Sequence, residues 1–377
     1  MPTPRKRSAK RPTKRAAARP PTRATARSKS RSHLINSVPS LRRHLRTALQ
    51  LELTTIPPYL CALYSIPDGS NVEVSRLIRS VVMEEMLHMV LAANVLNAVG
   101  GQAKVSAKDF VPRYPGCLPH SDKAFKVHLL PFSREAIDTF MRIERPERST
   151  AKPKADNYHS IGQFYAAIIE AMQRLEARAK RAGKTIFTGK HSRQIHGESW
   201  YYGGGGAPIA VVNLQTAIKA VHEIMEQGEG FDHTIMDGDN QFGQVDELAH
   251  YYRFYEVRKG RRFLATDEPR HLPTGPEIPV DWDAAHPMAP NPKMKKYRKQ
   301  PQIHRLMLAF NQKYMRLLRA LDTAFTGKPH ALRDAVPLMY ELKYAAQALM
   351  AIPSGRKDGT TVGPSFEFTA SGGARRG

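Results

Sequence analysis

The chain has 377 residues, of which 41% are hydrophobic, and its formal net charge is +24. This length and apolar content allow a sizeable buried core. The two cysteines exclude a disulfide-stapled scaffold and favour a reducing, cytoplasmic setting. Because no apolar run looks long enough to cross a bilayer, we expect a soluble protein.

The basic charge is concentrated at the N-terminus. Residues 1–32 contain twelve Lys or Arg and no acid, and the first acidic residue is Glu52. We predict that residues 1–34 form a disordered basic tail, because Ala, Pro, Ser and Thr cannot bury a core. Such a tail either attracts polyanions such as nucleic acid or serves as a solubilising arm, and both interpretations stay open.

Two helices, predicted at about 39–64 and 71–99, bury polar groups in their apolar faces. Glu52 occupies a gap in the apolar stripe of the first, and Glu85 and His88 occupy gaps in that of the second. Burying an unpaired carboxylate is costly, so these groups need an ion pair or a metal ion. Prolines 57 and 58 predict a kink one turn after Glu52, and Ser70 with Glu73 predicts a capping box.

Further helices are predicted at about 133–143, 160–182, from 214 to the glycines at 228 and 230, and at 246–257. Glu170 lies off the apolar stripe of its helix and is expected to be exposed. The last of these helices carries a second Glu-x-x-His pair, Glu247 and His250. Trp200 and the tyrosines and glycines that follow it, through residue 206, form a candidate lid.

Two Glu-x-x-His pairs and two further glutamate helices are the donor set of a di-metal centre in a helical bundle. The third-helix carboxylate is the least certain donor: Glu226 is preferred, with Glu223 and Glu229 as alternatives. The predicted metal ligands are therefore Glu52, Glu85, His88, Glu226, Glu247 and His250. The expected cofactor is two iron ions, with manganese as the alternative.

The C-terminal third is predicted to be a loop-rich segment followed by two helices at about 302–326 and 331–351, which cover the bundle. We therefore divide the chain into the tail at 1–34, a helical domain at 35–260 and a helical extension at 261–377. The end, from Ser365 onward, is expected to be frayed.

Four segments resemble the ferritin-like domain of iminophenylpyruvate dimer synthases. They are Leu51-Glu52-Leu53-Thr54-Thr55-Ile56-Pro57-Pro58-Tyr59-Leu60, Glu84-Glu85-Met86-Leu87-His88, Glu226-Gln227-Gly228-Glu229-Gly230 and Glu247-Leu248-Ala249-His250-Tyr251-Tyr252-Arg253-Phe254. The resemblance covers roughly residues 35–260. It implies an all-α, ferritin-like four-helix bundle with long irregular connections, and it implies the same six metal ligands. It also implies the coupling of two amino-acid-derived imines, as in bacterial violacein and indolocarbazole biosynthesis.

The leading functional prediction is a di-iron oxidase or oxygenase acting on a small molecule, with an amino-acid-derived imine as the candidate substrate. The alternative is a DNA-associated, iron-binding protein that uses residues 1–32 to hold nucleic acid. The sequence leaves the oligomeric state open.

Overall fold

A computed structural model describes Met1 and residues 35–146, 151–199, 205–230, 234–239 and 246–370. The predicted tail therefore lies almost wholly outside the described residues. Residues Leu34–Gly377 form one compact unit. Its described part contains eight α-helices, short 3-10 turns and isolated β-bridges but no strand, which confirms the all-α prediction.

The eight helices follow the predicted order, with bounds that differ by a few residues. They are α1 (Val38–Ser65), α2 (Val72–Ala98), α3 (Arg134–Ile143), α4 (Ile161–Lys180), α5 (Leu214–Glu229), α6 (His250–Lys259), α7 (Pro301–Phe325) and α8 (Leu332–Met350). The largest difference is at α6, which was expected to begin at residue 246.

Four long helices form the bundle. α1 packs on α2, α2 on α5, α5 on α4, and α4 back on α1. The short helices α3 and α6 pack on each other, and α6 also contacts α2 and α5. The helices α7 and α8 pack on each other, and α8 also contacts α1 while α7 contacts α2. A large apolar core runs through these layers, and a smaller second cluster contains Ile235, Ala249, Tyr252 and Phe263.

α1 is continuous through its two internal prolines. Ser37 caps its N-terminus by accepting a hydrogen bond from Ser40 N, and Pro39 lies in the first turn. Pro58 cannot donate to the carbonyl of Thr54, and the hydroxyl of Tyr114 donates to that oxygen instead at 2.8 Å. The buried tyrosine therefore supplies the hydrogen bond that the proline removes.

α2 is largely buried, with 18 of its 27 residues in the interior. By length and composition alone it could cross a membrane, but 89% of its apolar window is buried inside the protein. Its N-cap is Asn71, which makes no side-chain cap hydrogen bond, so the predicted capping box at Ser70 is wrong. Packing against neighbouring helices explains why this helix is so apolar.

The chain after α8 is also ordered as far as it is described. Ser365 is 1% exposed and holds the side-chain amide of Asn311 at 2.9 Å, while Phe366 packs against Phe310. The expectation of a frayed end is therefore wrong for residues 365–370. Residues 371–377 lie outside the described part of the chain.

Candidate metal centre

Five acidic and histidine side chains meet inside the bundle, and each is at most 4% exposed. They are Glu52 from α1, Glu85 and His88 from α2, Glu144 at the C-cap of α3, and His250 at the first residue of α6. They form two triads that share Glu85. One comprises Glu52, Glu85 and His88, the other Glu85, Glu144 and His250, and the donor atoms of each triad lie within 4.8 Å of one another.

Each of the three carboxylates has one oxygen held by a hydroxyl. Tyr165 donates to Glu52 Oε1, Thr55 donates to Glu85 Oε2 at 2.5 Å, and Tyr59 donates to Glu144 Oε1. The second oxygen of each carboxylate faces a histidine. The hydroxyls thus fix the rotation of the carboxylates and leave one oxygen of each directed toward the centre.

The remaining oxygens lie close to the Nδ1 atoms of the two histidines. His88 Nδ1 is 3.6 Å from Glu52 Oε2 and 3.9 Å from Glu85 Oε1. His250 Nδ1 is 3.1 Å from Glu85 Oε1 and 3.6 Å from Glu144 Oε2. Glu85 Oε1 therefore lies between both imidazoles, the position of a bridging ligand.

Hydrogen bonds on the far side of each ring fix the tautomer. His250 Nε2 donates to Glu84 Oε2 at 2.9 Å, and His88 Nε2 donates to the side-chain amide oxygen Oε1 of Gln227 at 2.9 Å. The Gln227 amide nitrogen faces the carboxylates of Glu223 and Asp239, which sets the orientation of the amide. A neutral ring in either position therefore presents the lone pair of Nδ1 to the carboxylates.

This donor set fits a pair of divalent transition-metal ions. His250 Nδ1 is buried and makes no hydrogen bond, although two carboxylate oxygens face it. A lone pair facing carboxylates is repelled, so this position favours positive charge, supplied either by a proton on Nδ1 or by a metal ion. Three glutamates with one shared, together with two imidazoles, are the ligand types of a carboxylate-bridged site.

The shifted pKa values of the cluster also indicate that it favours bound positive charge. Burial and the nearby Glu144 raise the pKa of Glu85 to about 7. Burial acts to lower the pKa values of His88 and His250, but the surrounding carboxylates outweigh it and raise both. Burial raises the pKa values of Tyr59 and Tyr165 well above 10, so both hydroxyls keep the proton that they donate.

A second layer of buried charge supports His250. Arg253 donates to Glu84 Oε1 at 2.7 Å and lies 3.3 Å from Asp237 Oδ2. Burial acts to raise the pKa of Glu84, but Arg253 and His250 outweigh it and lower that pKa to about 2. The Glu84 carboxylate is therefore ionised and accepts the Nε2 proton of His250 throughout the neutral pH range.

Two of the six predicted ligands, Glu226 and Glu247, lie outside both triads. Glu226 lies beside the buried face of α5, 3.4 Å from His222. Glu247 has a side chain that is 56% exposed and pairs with Arg253 at 3.1 Å. Neither predicted alternative joins the triads: Glu223 contacts Gln227, and Glu229 accepts from Gly162 N.

The position of Glu247 follows from the backbone around it. Residues 247–249 are extended: Asp237 N donates to Glu247 O, and Ala249 N donates to Ile235 O. α6 therefore begins only at His250. Because the second Glu-x-x-His pair is not helical, its two side chains do not project from one face, which corrects the sequence interpretation.

Glu144 is a candidate donor that the sequence did not predict. It lies four residues after Phe140 and seven after Ile137, so it continues the buried face of α3. An acid on an apolar stripe was the signal that identified Glu52, and the same signal was present here. The prolines on both sides of this short helix predict an irregular connection, which masks that signal.

The glycine-rich loop approaches the centre from outside. Gly206 has φ +89°, and a Cβ there would lie 2.8 Å from Leu87 Cδ2 and 3.1 Å from both Gln227 Nε2 and Glu223 Oε1. Only glycine allows the backbone this close to the residues that hold His88. Trp200 through residue 204, the rest of the candidate lid, lies outside the described residues.

Comparisons with known proteins agree with the resemblance seen in the sequence. A ferritin-like family model matches residues 45–259. Dichlorochromopyrrolate synthase of Lentzea aerocolonigenes is 26% identical over 393 residues, covering 89% of this chain and 36% of that protein. The 2-imino-3-(indol-3-yl)propanoate dimerase of Chromobacterium violaceum is 26% identical over 388 residues, covering 88% of this chain and 34% of that protein.

The chain therefore spans about a third of the length of these curated relatives. Among solved structures, a ferritin-like protein from Caulobacter vibrioides has a TM-score of 0.59 and 24% identity, covering 88% of this chain and 100% of that one. This likeness supports the fold.

Proposed function

This chain belongs to the ferritin-like family, and from that premise we propose that it is an oxidoreductase with a carboxylate-bridged pair of iron ions. Manganese is the alternative metal. The observation that carries the proposal is the convergence of three carboxylate oxygens and two imidazole Nδ1 atoms in one buried place, with their other polar atoms held by hydrogen bonds. Such a pair of ions supplies redox chemistry toward dioxygen.

The proposed ligand set is Glu52 and His88 at one ion, Glu144 and His250 at the other, and Glu85 between them. Four of these five ligands were proposed from the sequence, and Glu144 takes the place of Glu226 and Glu247. Tyr59, Thr55 and Tyr165 orient the carboxylates, while Gln227 and Glu84 hold the Nε2 protons of the histidines. The apolar core around the ligands excludes bulk water.

The proposed substrate is a small imine derived from an aromatic amino acid. This choice is supported by the names of the two relatives, a dichlorochromopyrrolate synthase and a dimerase of 2-imino-3-(indol-3-yl)propanoate. A cytoplasmic location is the matching proposal, because Cys61 is a buried free thiol and Cys117 is also unpaired.

The alternative, a DNA-associated iron-binding protein, has less support. It depends on residues 1–32, which fall outside the described residues except for Met1, and neither relative's name refers to nucleic acid. Nucleic-acid binding through residues 1–32 stays a prediction.

Elemental analysis of the purified, tag-free chain after reconstitution with ferrous iron tests the metal centre. We expect about two iron ions per chain at the bridged site, bound iron to be lost in Glu85→Ala and His88→Ala, and helical content to be kept. Glu170→Ala is the matched control, because this glutamate is exposed on α4. Full iron in the Glu85→Ala variant would overturn the assignment.

Dioxygen uptake in the presence of an imine of tryptophan or phenylalanine, generated in the assay, tests the reaction. We expect uptake that requires both the imine and the bound metal. Metal-loaded protein that consumes no dioxygen with these imines would refute the substrate proposal while leaving the metal centre intact.

A further inference from the structure

A second group of metal-binding side chains lies on the outer part of the bundle. His44, His120 and Asp156 each offer one donor atom, and these atoms lie within 4.8 Å of one another. His44 is on α1, two turns before Glu52, so the two places are roughly 12 Å apart along the helix, at 1.5 Å per residue. The group shares no residue with the two triads around Glu85.

His44 presents a lone pair that has no hydrogen-bond partner. Its Nδ1 lies 2.9 Å from the carbonyl oxygen of Ser40, and because a carbonyl only accepts, Nδ1 carries the proton. In the neutral ring, Nε2 is then an acceptor. This nitrogen is buried without a hydrogen bond, and it lies 3.8 Å from Asp156 Oδ2. A buried acceptor facing a carboxylate oxygen is unfavourable unless a cation lies between them.

His120 and Asp156 are held by the backbone around them. His120 Nδ1 lies 2.6 Å from Asp156 Oδ1. His120 has φ +60°, its carbonyl oxygen accepts from Asn157 N at 2.8 Å, and Asn157 has φ +53°. The backbone around residues 120 and 157 therefore keeps the side chains of His120 and Asp156 next to His44 without an ion.

The group is accessible from solvent at one side. The side chain of His44 is 12% exposed, that of Asp156 31%, and that of His120 45%. An ion can reach the two outer donors directly, and the inner donor closes the site from below. With three protein donors, one coordination position of a tetrahedral ion would face water.

We propose that His44 Nε2, His120 Nδ1 and one Asp156 oxygen bind a single divalent transition-metal ion, of which zinc is the best fit. Two imidazoles with one carboxylate are donors that zinc accepts, and its fourth ligand here is water. Binding requires the neutral His120 ring to carry its proton on Nε2, so that the lone pair of Nδ1 faces the ion and the Asp156 oxygen contacts the ion instead of that proton. This site is independent of the proposed oxidoreductase centre.

The test is a calorimetric titration with zinc of the whole chain, after bound metal has been removed with a chelator and the chelator has been dialysed away. We compare the wild type with His44→Gln, His120→Asn and Asp156→Asn, the last of which keeps a hydrogen-bond acceptor for His120. Each variant is expected to lose one equivalent of zinc, or to bind that equivalent at least about tenfold more weakly, the smallest effect usual for the loss of a supporting partner. The measured quantity is the difference in zinc bound per chain between the wild type and each variant. Zinc that binds at the triads around Glu85 is common to all of them and does not affect this difference.

His159→Asn is the matched control. This histidine is also exposed and lies 2.8 Å from a carboxylate, that of Asp122, but it belongs to no triad of donors among the described residues. Its substitution should leave the zinc stoichiometry and affinity unchanged. Unchanged zinc binding in both His120→Asn and Asp156→Asn, with wild-type circular dichroism, would overturn the proposal. An equal loss in His159→Asn would overturn it too, because the zinc would then be binding to surface imidazoles in general.

Discussion

The hydroxyl of Tyr165, on α4, donates a hydrogen bond to Oε1 of Glu52, on α1, while Oε2 of the same carboxylate faces His88 Nδ1 at 3.6 Å. Tyr165 thus connects a helix that supplies no candidate ligand to one that does. Burial raises the pKa of Tyr165 well above 10, so the hydroxyl stays a donor. The orientation of Glu52 therefore depends on packing between α1 and α4.

Tyr165→Phe tests this dependence. We expect the metal affinity to fall by about 10–100-fold, the usual effect of removing a group that orients a ligand, while the fold is kept. Metal binding measured by competition with a chelator gives the value. Tyr114→Phe is the control, because its buried hydroxyl donates to the Thr54 carbonyl and to no carboxylate. The control should lower the unfolding free energy by about 1–3 kcal/mol but leave the metal affinity unchanged.

Glu144→Gln distinguishes the structural ligand set from the one expected from sequence. The amide keeps the size of the side chain and removes the charge, so we expect one of the two ions to be lost. Glu226→Gln and Glu247→Gln should keep both ions, because these side chains contact His222 and Arg253 instead. Iron content per chain distinguishes the two sets, and a loss of iron in Glu226→Gln and Glu247→Gln but not in Glu144→Gln would favour the set expected from sequence.

The metal-free protein should lose stability as the pH rises from 5 to 8. Burial, followed by the repulsion of Asp239, raises the pKa of Glu223 to about 8 from an ordinary value of 4.5. The native state then holds more protons than the unfolded state between these values, so the unfolding free energy falls with rising pH. The raised pKa values of Glu85, His88 and His250 act in the same direction.

Glu223→Gln should make that decline smaller, because its side chain stays neutral. Urea unfolding of the metal-free protein at several pH values gives the free energies of unfolding to be compared. Glu170→Gln, at an exposed position, is the control. The opposite contribution of Glu84, whose pKa is lowered to about 2, is lost only in strong acid, outside this range. A stability that rises from pH 5 to 8 would contradict the buried, protonated Glu223.

Gly206→Ala should weaken both stability and metal binding. A positive φ costs an alanine about 1–2 kcal/mol, and the new Cβ would also press on Leu87 and on the Gln227 amide that holds His88. Gly183→Ala is the matched control, because Gly183 has φ +65° but its Cβ would meet nothing within 4 Å. Thermal unfolding and metal titration of the two variants separate the backbone strain, which they share, from the contact near His88. Equal metal affinities in the two variants would show that the contact near His88 does not affect metal binding.

The sequence by itself determined the helices, their order and the donors of α1 and α2. Glu52, Glu85 and His88 lie on regular helices whose apolar positions repeat every 3.6 residues, so a polar residue in the stripe is buried wherever the helix packs. Their convergence needed only that two consecutive helices be antiparallel. The all-α architecture followed from the same periodicity.

Only the tertiary structure decided how the second half of the site is completed. Pairing of residues 235–237 with 247–249 delays the start of α6 to His250 and turns Glu247 toward Arg253. The carboxylate that faces His250 instead comes from Glu144, more than a hundred residues earlier in the chain. Such pairings depend on backbone hydrogen bonds and packing between segments distant in sequence, which a local periodicity does not contain.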